Sequence, residues 1–160
     1  MSLYSLMTDT WGPPTWEFIH NLADKIDDSI FEKVKITVWN NLLIIIKNLP
    51  CKYCSQHAYG LLRKVDAKTI YNKEILKKLL YRFHNVVNVK LKKEICDYEI
   101  LSKYETIPIK ESAYRLIISW KKVANKMTIH EFKDKYELLK VTDEIKKWII
   151  NNKHIFIEFE

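Results

Sequence analysis

Apolar side chains recur at helical spacing along most of this chain, and breaks in the recurrence divide it into segments. Trp16 and Ile19 share one face of the first segment, and Pro13 and Pro14 precede them, where proline suits the first turn of a helix. Pro50 begins the third segment for the same reason, because proline is disfavoured inside a helix. Before Pro108 the pattern predicts helices over residues 14–25, 30–47 and 51–64, one that begins at residue 72 or 73, and a short one over 97–104.

Two of these helices carry long apolar stripes, which are expected to face the core. Residues 42–46, LLIII, would also suit a strand, but the helical periodicity on both sides of them favours a helix. The predicted buried stripe of the second helix is Phe31, Val34, Val38, Leu42 and Ile45, and that of the fourth is Ile75, Leu79, Phe83, Val87 and Leu91.

Beyond Pro108, three amphipathic segments follow over residues 111–127, 128–139 and 141–152, and the alternating tail over 154–160 suits a strand or an irregular end. Only two glycines occur in 160 residues, which argues against an all-β meander. We therefore predict an all-α fold, with a four-helix bundle and a short fifth helix over residues 1–105 and a helical C-terminal extension over residues 106–160.

The formal net charge of +7 comes mostly from lysines that are spread along the chain without a block of like charges. A solvated basic surface is the simplest interpretation, and an anionic partner such as nucleic acid, a membrane surface or a phosphate-bearing cofactor is the alternative. The longest apolar run, residues 42–46, is too short to span a bilayer, and the first residues lack the pattern of a secretory signal. We expect a soluble protein.

The chemistry concentrates in LPCKYCSQH, residues 49–57, at the predicted start of the third helix. The N–H groups and dipole of a helix N-terminus stabilise a thiolate, which suits disulfide exchange through an exposed Cys51, with Cys54 pointing inward. A pair of buried thiols is a second interpretation. A structural zinc site is a third, although such sites normally have another close ligand pair. Its candidate ligands are Cys51, Cys54, His57 and either Cys96 or His84.

Two further polar clusters interrupt the apolar stripes of the first and fourth helices. A cysteine pair needs a cofactor to pass electrons to oxygen, so these clusters are candidate cofactor sites. Each alone would also suit a core aromatic residue or polar groups that their neighbours satisfy. The clusters comprise Trp16 and His20 in the first helix, and His84, Asn85, Asn88, Lys90, Leu91 and Lys93 in or just after the fourth.

Together these motifs resemble those of the Erv/ALR family of FAD-linked sulfhydryl oxidases, whose pattern is WGxxxW and a histidine, then CxxC, then HNxVNxxLxK. Here they stand as WGPPTW with His20, as LPCKYCSQH and as HNVVNVKLKK, in that order and over about residues 11–104. The compact form looks most like the versions of large cytoplasmic DNA viruses. The resemblance implies a thiol oxidase that makes disulfide bonds in partner proteins and passes electrons through the CxxC and FAD to oxygen, giving hydrogen peroxide.

The resemblance also implies a homodimer and assigns roles to residues. Cys51 would exchange with the substrate dithiol, and Cys54 would pass the electrons to FAD. Lys90 and Lys93 would meet the pyrophosphate, Tyr98 would close the site, and no residue would bind a metal. The implied FAD-binding residues are Gly12, Trp16, His20, His57, His84, Asn85, Val87, Asn88, Lys90, Leu91, Lys93 and Tyr98.

Many family members carry a second, shuttling cysteine pair and a structural disulfide, whereas this chain has only Cys96 besides the CxxC. Electrons would therefore come directly from a thiol-bearing protein, such as a small thioredoxin-like or CxxC protein. Cys96 would be a free buried thiol or would pair between subunits. We expect the host cytoplasm or a virion as the location, with the mitochondrial intermembrane space as the alternative, and no binding to nucleic acid or membranes.

Two rival functions belong to other classes. One is a zinc-stabilised helical interaction module without catalytic activity, which bound metal without flavin would select. The other is a basic helical nucleic-acid binder, which strongly salt-dependent binding of DNA or RNA would support.

Overall fold

The structure is a computed structural model that describes residues 7–159. Within that range the regular elements are helices, and the prediction of an all-α fold is confirmed. Short 3-10 turns lie between several of the α-helices and after the last one. The α-helices are α1 (Thr8–Lys25), α2 (Phe31–Lys47), α3 (Lys52–Leu62), α4 (Lys73–Lys90), α5 (Ser102–Glu105), α6 (Ile109–Asn125) and α7 (Phe132–Asn151).

Helix α1 begins at Thr8, so the predicted start at residue 14 is wrong, and Pro13 and Pro14 lie inside the helix. An interior proline costs about 3 kcal/mol, because it lacks an N–H donor and its ring crowds the carbonyl four residues earlier. Trp11 is buried in the core, and burying a tryptophan's roughly 150–250 Å² at about 25 cal/mol per Å² contributes roughly 4–6 kcal/mol. The two prolines together cost about 6 kcal/mol, so burial of Trp11 offsets most of this cost and the helix extends back to Thr8.

Helix α2 follows its prediction, since the run at residues 42–46 is helical and the expected stripe is buried or half-buried.

Helix α4 begins where expected, and the Asn72 side chain accepts a hydrogen bond from the Ile75 N–H at 2.9 Å. Its buried face is rotated from the predicted one, because Leu76 and Leu80 are fully buried while Leu91 is exposed. Leu91 instead borders the cavities described below.

The region after α4 shares a hydrophobic core with α1. Trp120 of α6 is fully buried, and its indole N–H donates to the Thr15 hydroxyl at 2.9 Å. Asn21 of α1 donates to the carbonyl oxygen of Tyr104 at 2.9 Å and accepts from the Ser112 hydroxyl at 2.7 Å. The buried Thr15 and Asn21 side chains of α1 thus find hydrogen-bond partners beyond α4. The predicted domain boundary between residues 105 and 106 stays a prediction.

The segments predicted over residues 128–139 and 141–152 form the single helix α7, so the prediction of a break between them is wrong. Leu138, Val141 and Ile145 are buried along one continuous stripe. The β-branched pair Val141 and Thr142 lowers helix propensity only slightly, and no proline or glycine separates the segments.

The tail over residues 154–160 follows the irregular alternative, apart from one antiparallel bridge between Ile26 and Phe156. The Asp27 N–H donates to the Ile155 carbonyl at 2.8 Å, and the bridge fastens this part of the tail to the end of α1. The last residue of the predicted tail, Glu160, lies outside the described residues.

Candidate functional site

Cys51 and Cys54 form a disulfide at the start of α3, with their Cα atoms 5.2 Å apart. Cys51 is the residue that caps the helix, and its Sγ accepts a hydrogen bond from the Cys54 backbone N–H at 3.2 Å. Pro50 immediately precedes this cap, as the sequence pattern predicted. When the disulfide is reduced, the N–H groups at this helix end would stabilise a thiolate on Cys51.

The exposures of the two cysteines are the reverse of the expectation. Cys51 is only 3% exposed, whereas Cys54 is half-buried and lines a cavity, so the prediction of an exposed Cys51 is wrong. In the C-terminal region, Asp134 of α7 lies 2.8 Å from the ammonium nitrogen of Lys52, the residue after Cys51. Both residues line a groove between the start of α3 and the C-terminal region, which we call the extension groove. Its lining residues are Lys47, Asn48, Leu49, Pro50, Lys52, Ser55, Met127, Asp134, Glu137 and Leu138.

Cys54 borders a cavity of about 150 Å³, which we call the inner cavity, enclosed by α1, α3, α4 and the end of α2. Its wall is largely apolar and aromatic, and Trp16 and Phe83 meet there with ring centroids 5.3 Å apart. The lining residues are Thr8, Trp11, Gly12, Thr15, Trp16, Ile19, Ile46, Leu49, Tyr53, Cys54, His57, Ala58, Phe83, Val87, Lys90 and Leu91.

A second cavity of about 430 Å³, the outer cavity, adjoins the first and shares Thr8, Gly12, Trp16 and Leu91 with it. It is more polar and carries both acidic and basic side chains. The residues that line only the outer cavity are Pro13, Pro14, Glu17, His84, Asn88, Lys93, Glu94, Cys96, Ile100, Lys103, Tyr104 and Arg115.

The two polar clusters that are separate in the sequence meet between these cavities. The ring of His84 stacks on that of Trp16, with centroids 3.8 Å apart and an angle of 6° between the planes. Nε2 of His20 and Nδ1 of His84 are hydrogen-bonded at 2.9 Å. Tyr104 stacks on the other side of His20 at 5.0 Å. The spacing along α1 and α4 therefore predicted residues that do lie together.

Both histidines are neutral near pH 7. Burial, followed by the electrostatic effects of His84 and Lys103, lowers the pKa of His20 to about 3. Burial also lowers the pKa of His84 to about 4, with Lys103 and Lys93 as the next causes. Nδ1 of His20 is buried without a hydrogen-bond partner among residues 7–159, although His20 itself lines neither cavity.

The remaining basic residues of the predicted site lie at its rim. His57 and Lys90 line the inner cavity, and burial, followed by the charge of Lys90, lowers the pKa of His57. The Lys90 ammonium nitrogen lies 4.8 Å from the ring centroid of the exposed Tyr53. Lys93 lines the outer cavity.

Three predicted cofactor-binding residues, His20, Asn85 and Tyr98, line neither cavity. The side chain of Asn85 holds the backbone of Cys96, accepting from its N–H at 2.9 Å and donating to its carbonyl at 3.0 Å. Tyr98 donates to the Glu74 carboxylate, and its ring meets that of Tyr81 edge-on. Cys96 itself is a free, half-buried cysteine.

The outer-cavity residues that sequence reasoning did not assign to the site include Lys103, Tyr104 and Arg115. Tyr104 belongs to the short segment after the motif in which Tyr98 was the predicted aromatic. Arg115 lies in α6, outside every motif, and reaches the site by pairing with Glu17, which is 98 residues earlier. No sequence signal connects residues so far apart.

The described residues offer no grouping of three histidine, cysteine or acidic side chains that would hold a metal ion, so the geometry does not support the zinc interpretation. In the same range, no helix combines the length and the apolar character that crossing a membrane requires.

A disulfide at a helix N-terminus beside adjoining aromatic and polar cavities defines a helical thiol–disulfide redox protein with space for an extended cofactor. The sequence pattern of the Erv1 / Alr family matches residues 13–107, and the chain belongs to this family. It is 34% identical over 97 residues to FAD-linked sulfhydryl oxidases of African swine fever virus isolates from Kenya and Malawi, which covers 61% of this chain and 78% of each relative. No solved structure matches the chain.

Proposed function

We infer that this protein is an FAD-linked sulfhydryl oxidase, which converts pairs of protein thiols into disulfides and reduces oxygen to hydrogen peroxide. The position of the disulfide carries this inference, because Cys54 lines the inner cavity together with Trp16 and His57. Membership of the Erv1 / Alr family and the similarity to the viral oxidases support the same function.

The two cavities fit FAD. We propose that Trp16, Phe83 and Val87 hold the flat ring system in the inner cavity, because this wall is apolar and aromatic. Lys93 of the outer cavity would pair with the pyrophosphate, and Nδ1 of His20 offers a polar atom that the protein leaves without a partner. FAD, when bound, would accept two electrons from the reduced cysteine pair and give them to oxygen.

Disulfide exchange at α3 supplies those electrons. A substrate thiolate attacks Sγ of Cys51, forming a mixed disulfide and releasing Cys54 as a thiolate. A second substrate thiolate then attacks the substrate sulfur of the mixed disulfide, which releases Cys51 as a thiolate and completes the substrate disulfide. Two electrons have then moved to the cysteine pair. The Cys54 backbone N–H, 3.2 Å from Sγ of Cys51, stabilises the second leaving thiolate.

We propose that His57 is the proton acceptor for Cys54 during the exchange. It lines the same cavity as Cys54, and burial and Lys90 lower its pKa, so its ring is neutral near pH 7. Cys54 leaves the disulfide as a thiolate, and if that thiolate takes up a proton, the neutral imidazole can accept the proton and restore the thiolate.

The electron donor is proposed to be a thiol-bearing protein that reacts directly with Cys51, because the chain has one cysteine besides the pair and so lacks a second shuttling pair. A small thioredoxin-like or CxxC protein has the required chemistry. We also propose a homodimer, which the exposed Ile36 and Ile44 of α2 support. The viral relatives support action in an infected cell's cytoplasm or in a virion.

The test is a visible spectrum of the purified protein together with thiol-dependent oxygen consumption. We expect bound flavin and turnover with dithiothreitol. Cys54→Ser should keep the flavin and lose turnover, whereas Cys96→Ser should retain turnover, because Cys96 takes no part in the exchange. A purified protein that binds zinc and no flavin would overturn the proposal.

A further inference from the structure

We propose that the C-terminal extension completes the cofactor site, with Arg115 of α6 as a binding residue for the phosphate-bearing half of FAD. This inference rests on the proposed function. Arg115 lines the outer cavity beside Lys103, and the family pattern ends at residue 107, before α6 begins.

The position of Arg115 is fixed by packing and by ion pairing. Helix α6 is held on α1 by the buried hydrogen bond from Trp120 to Thr15. The guanidinium group then reaches Glu17 of α1, with Nη1 at 2.9 and 3.1 Å from the two carboxylate oxygens. Its other terminal nitrogen donates to Glu111. These contacts hold the guanidinium at the cavity wall.

The charges of the outer cavity show why this cation matters. Glu17 and Glu94 place two carboxylates on the wall, and Lys93, Lys103 and Arg115 place three cations there. His84 adds no charge near pH 7, because burial lowers its pKa to about 4. Without Arg115 the acidic and basic side chains would balance, and Glu17 would face the incoming phosphates without its partner. A net positive cavity therefore depends on a residue of the extension.

The arginine also has donors to offer. A guanidinium carries five N–H groups in a fork that matches phosphate oxygens, and the contacts with Glu17 and Glu111 engage at most three of them. Its side chain is 46% exposed, so it is accessible from the cavity. An ion pair at such an exposed position contributes little to stability. A purely structural role for Arg115 would thus have little effect beyond a small change in melting temperature.

The test compares FAD release from the flavin-loaded full-length protein and its Arg115→Gln variant, followed by the rise in fluorescence of free flavin after dilution. Charge-assisted hydrogen bonds contribute roughly 1.5–3 kcal/mol, so we expect release to be about 10- to 100-fold faster in the variant. Arg82→Gln is the matched control, because Arg82 is an exposed arginine of α4 that lines neither cavity. Its release rate should equal that of the wild type.

A second measurement separates cofactor binding from folding. If Arg115→Gln lowers the melting temperature at saturating FAD but releases flavin at the wild-type rate, Arg115 only joins α1 to α6 and the proposal is wrong. Raising the salt concentration should accelerate release more in the wild type than in Arg115→Gln, because the variant has lost one phosphate contact. A wild-type protein that is purified without flavin would instead contradict the proposed function.

Discussion

Trp16 is the residue at which the two cavities meet, because it lines both and its indole stacks on His84. Cys54 lies on the inner side of this residue and Lys93 on the outer side. The rings that contact Trp16, those of His20, Phe83 and His84, are neutral or apolar near pH 7. Single substitutions of residues that line the cavities should therefore change flavin binding without changing folding.

Gly12 offers such a separation, since it lines both cavities and a Cβ at this position would meet only Thr8 Cγ2, at an ordinary contact distance of 3.5 Å. Leucine is a better helix former than glycine by up to about 1 kcal/mol. We expect Gly12→Leu to maintain or raise the urea midpoint of the flavin-free protein and to reduce the flavin bound per chain, because its side chain fills cofactor space.

Gly60→Leu is the control, because a Cβ there meets nothing within 4 Å and Gly60 lines neither cavity. It should give a similar helix stabilisation with unchanged flavin content. Equal flavin content in Gly12→Leu and the wild type would show that the cofactor does not approach Gly12.

The buried histidines make stability depend on pH. His20 and His84 have ordinary pKa values of 6.5 that fall to about 3 and about 4 in the folded protein. Between pH 6.5 and 4 the unfolded chain therefore takes up protons that the folded protein does not. Stability is fully present above that window and is lost as pH falls, by at most about 1.4 kcal/mol per pH unit for each histidine.

We expect the urea midpoint to fall between pH 7 and pH 5, a range above the ordinary pKa values of carboxylates. His84→Gln should reduce the slope of stability against pH, since one of the two groups is then absent. An identical midpoint at both pH values would mean that the histidines are protonated in the folded protein.

At the scale of elements, α3 and α7 meet next to the disulfide, and we expect this contact to limit access to it. The Lys52–Asp134 ion pair joins them directly beside Cys51, which is 3% exposed. An exposed ion pair is worth up to about 1 kcal/mol. We expect Asp134→Asn to accelerate reduction of the disulfide by dithiothreitol by up to about fivefold, because α7 then holds the α3 start less firmly and Lys52 is free to attract a thiolate.

The control for this change is Asp143→Asn, which removes another α7 ion pair, with Lys121, that lies between α6 and α7. Its reduction rate, followed by the bleaching of bound flavin without oxygen, should match the wild type. Equal rates for Asp134→Asn and Asp143→Asn would show that α7 does not limit access to Cys51.

The sequence predicted which segments are helical more accurately than where the helices end and which residues of other helices they contact. Helical spacing identified Trp16 with His20 and His84 with Asn88, because each pair lies within one helix, where geometry fixes the neighbours. The Lys52–Asp134 pair and the place of Arg115 were not predictable, since both depend on contacts of α3 or α1 with helices after residue 108. Local proline signals failed at α1 because burial of Trp11 is a tertiary effect.

At the scale of the whole molecule, the extension and α1 form one core, which the buried Trp120 and Leu116 join. We expect a chain truncated after residue 107 to unfold at a lower temperature, because it loses the buried Trp120 and Leu116 and the hydrogen bond from Trp120 to Thr15. It should also retain less flavin, because it loses the guanidinium of Arg115. Circular dichroism melting and flavin content check this. A truncated protein with wild-type stability and flavin content would establish that residues 1–107 form an independent domain.

The central claim is that the Cys51–Cys54 pair delivers electrons from thiols to bound FAD. The most direct measurement mixes the purified protein with excess dithiothreitol without oxygen and follows the blue absorption band of the flavin. The account predicts that this band is lost in the wild type, returns when oxygen is admitted, and persists in Cys54→Ser, which keeps the flavin. Bleaching of the Cys54→Ser flavin at the wild-type rate would contradict the claim, because electrons would then reach the flavin without the disulfide.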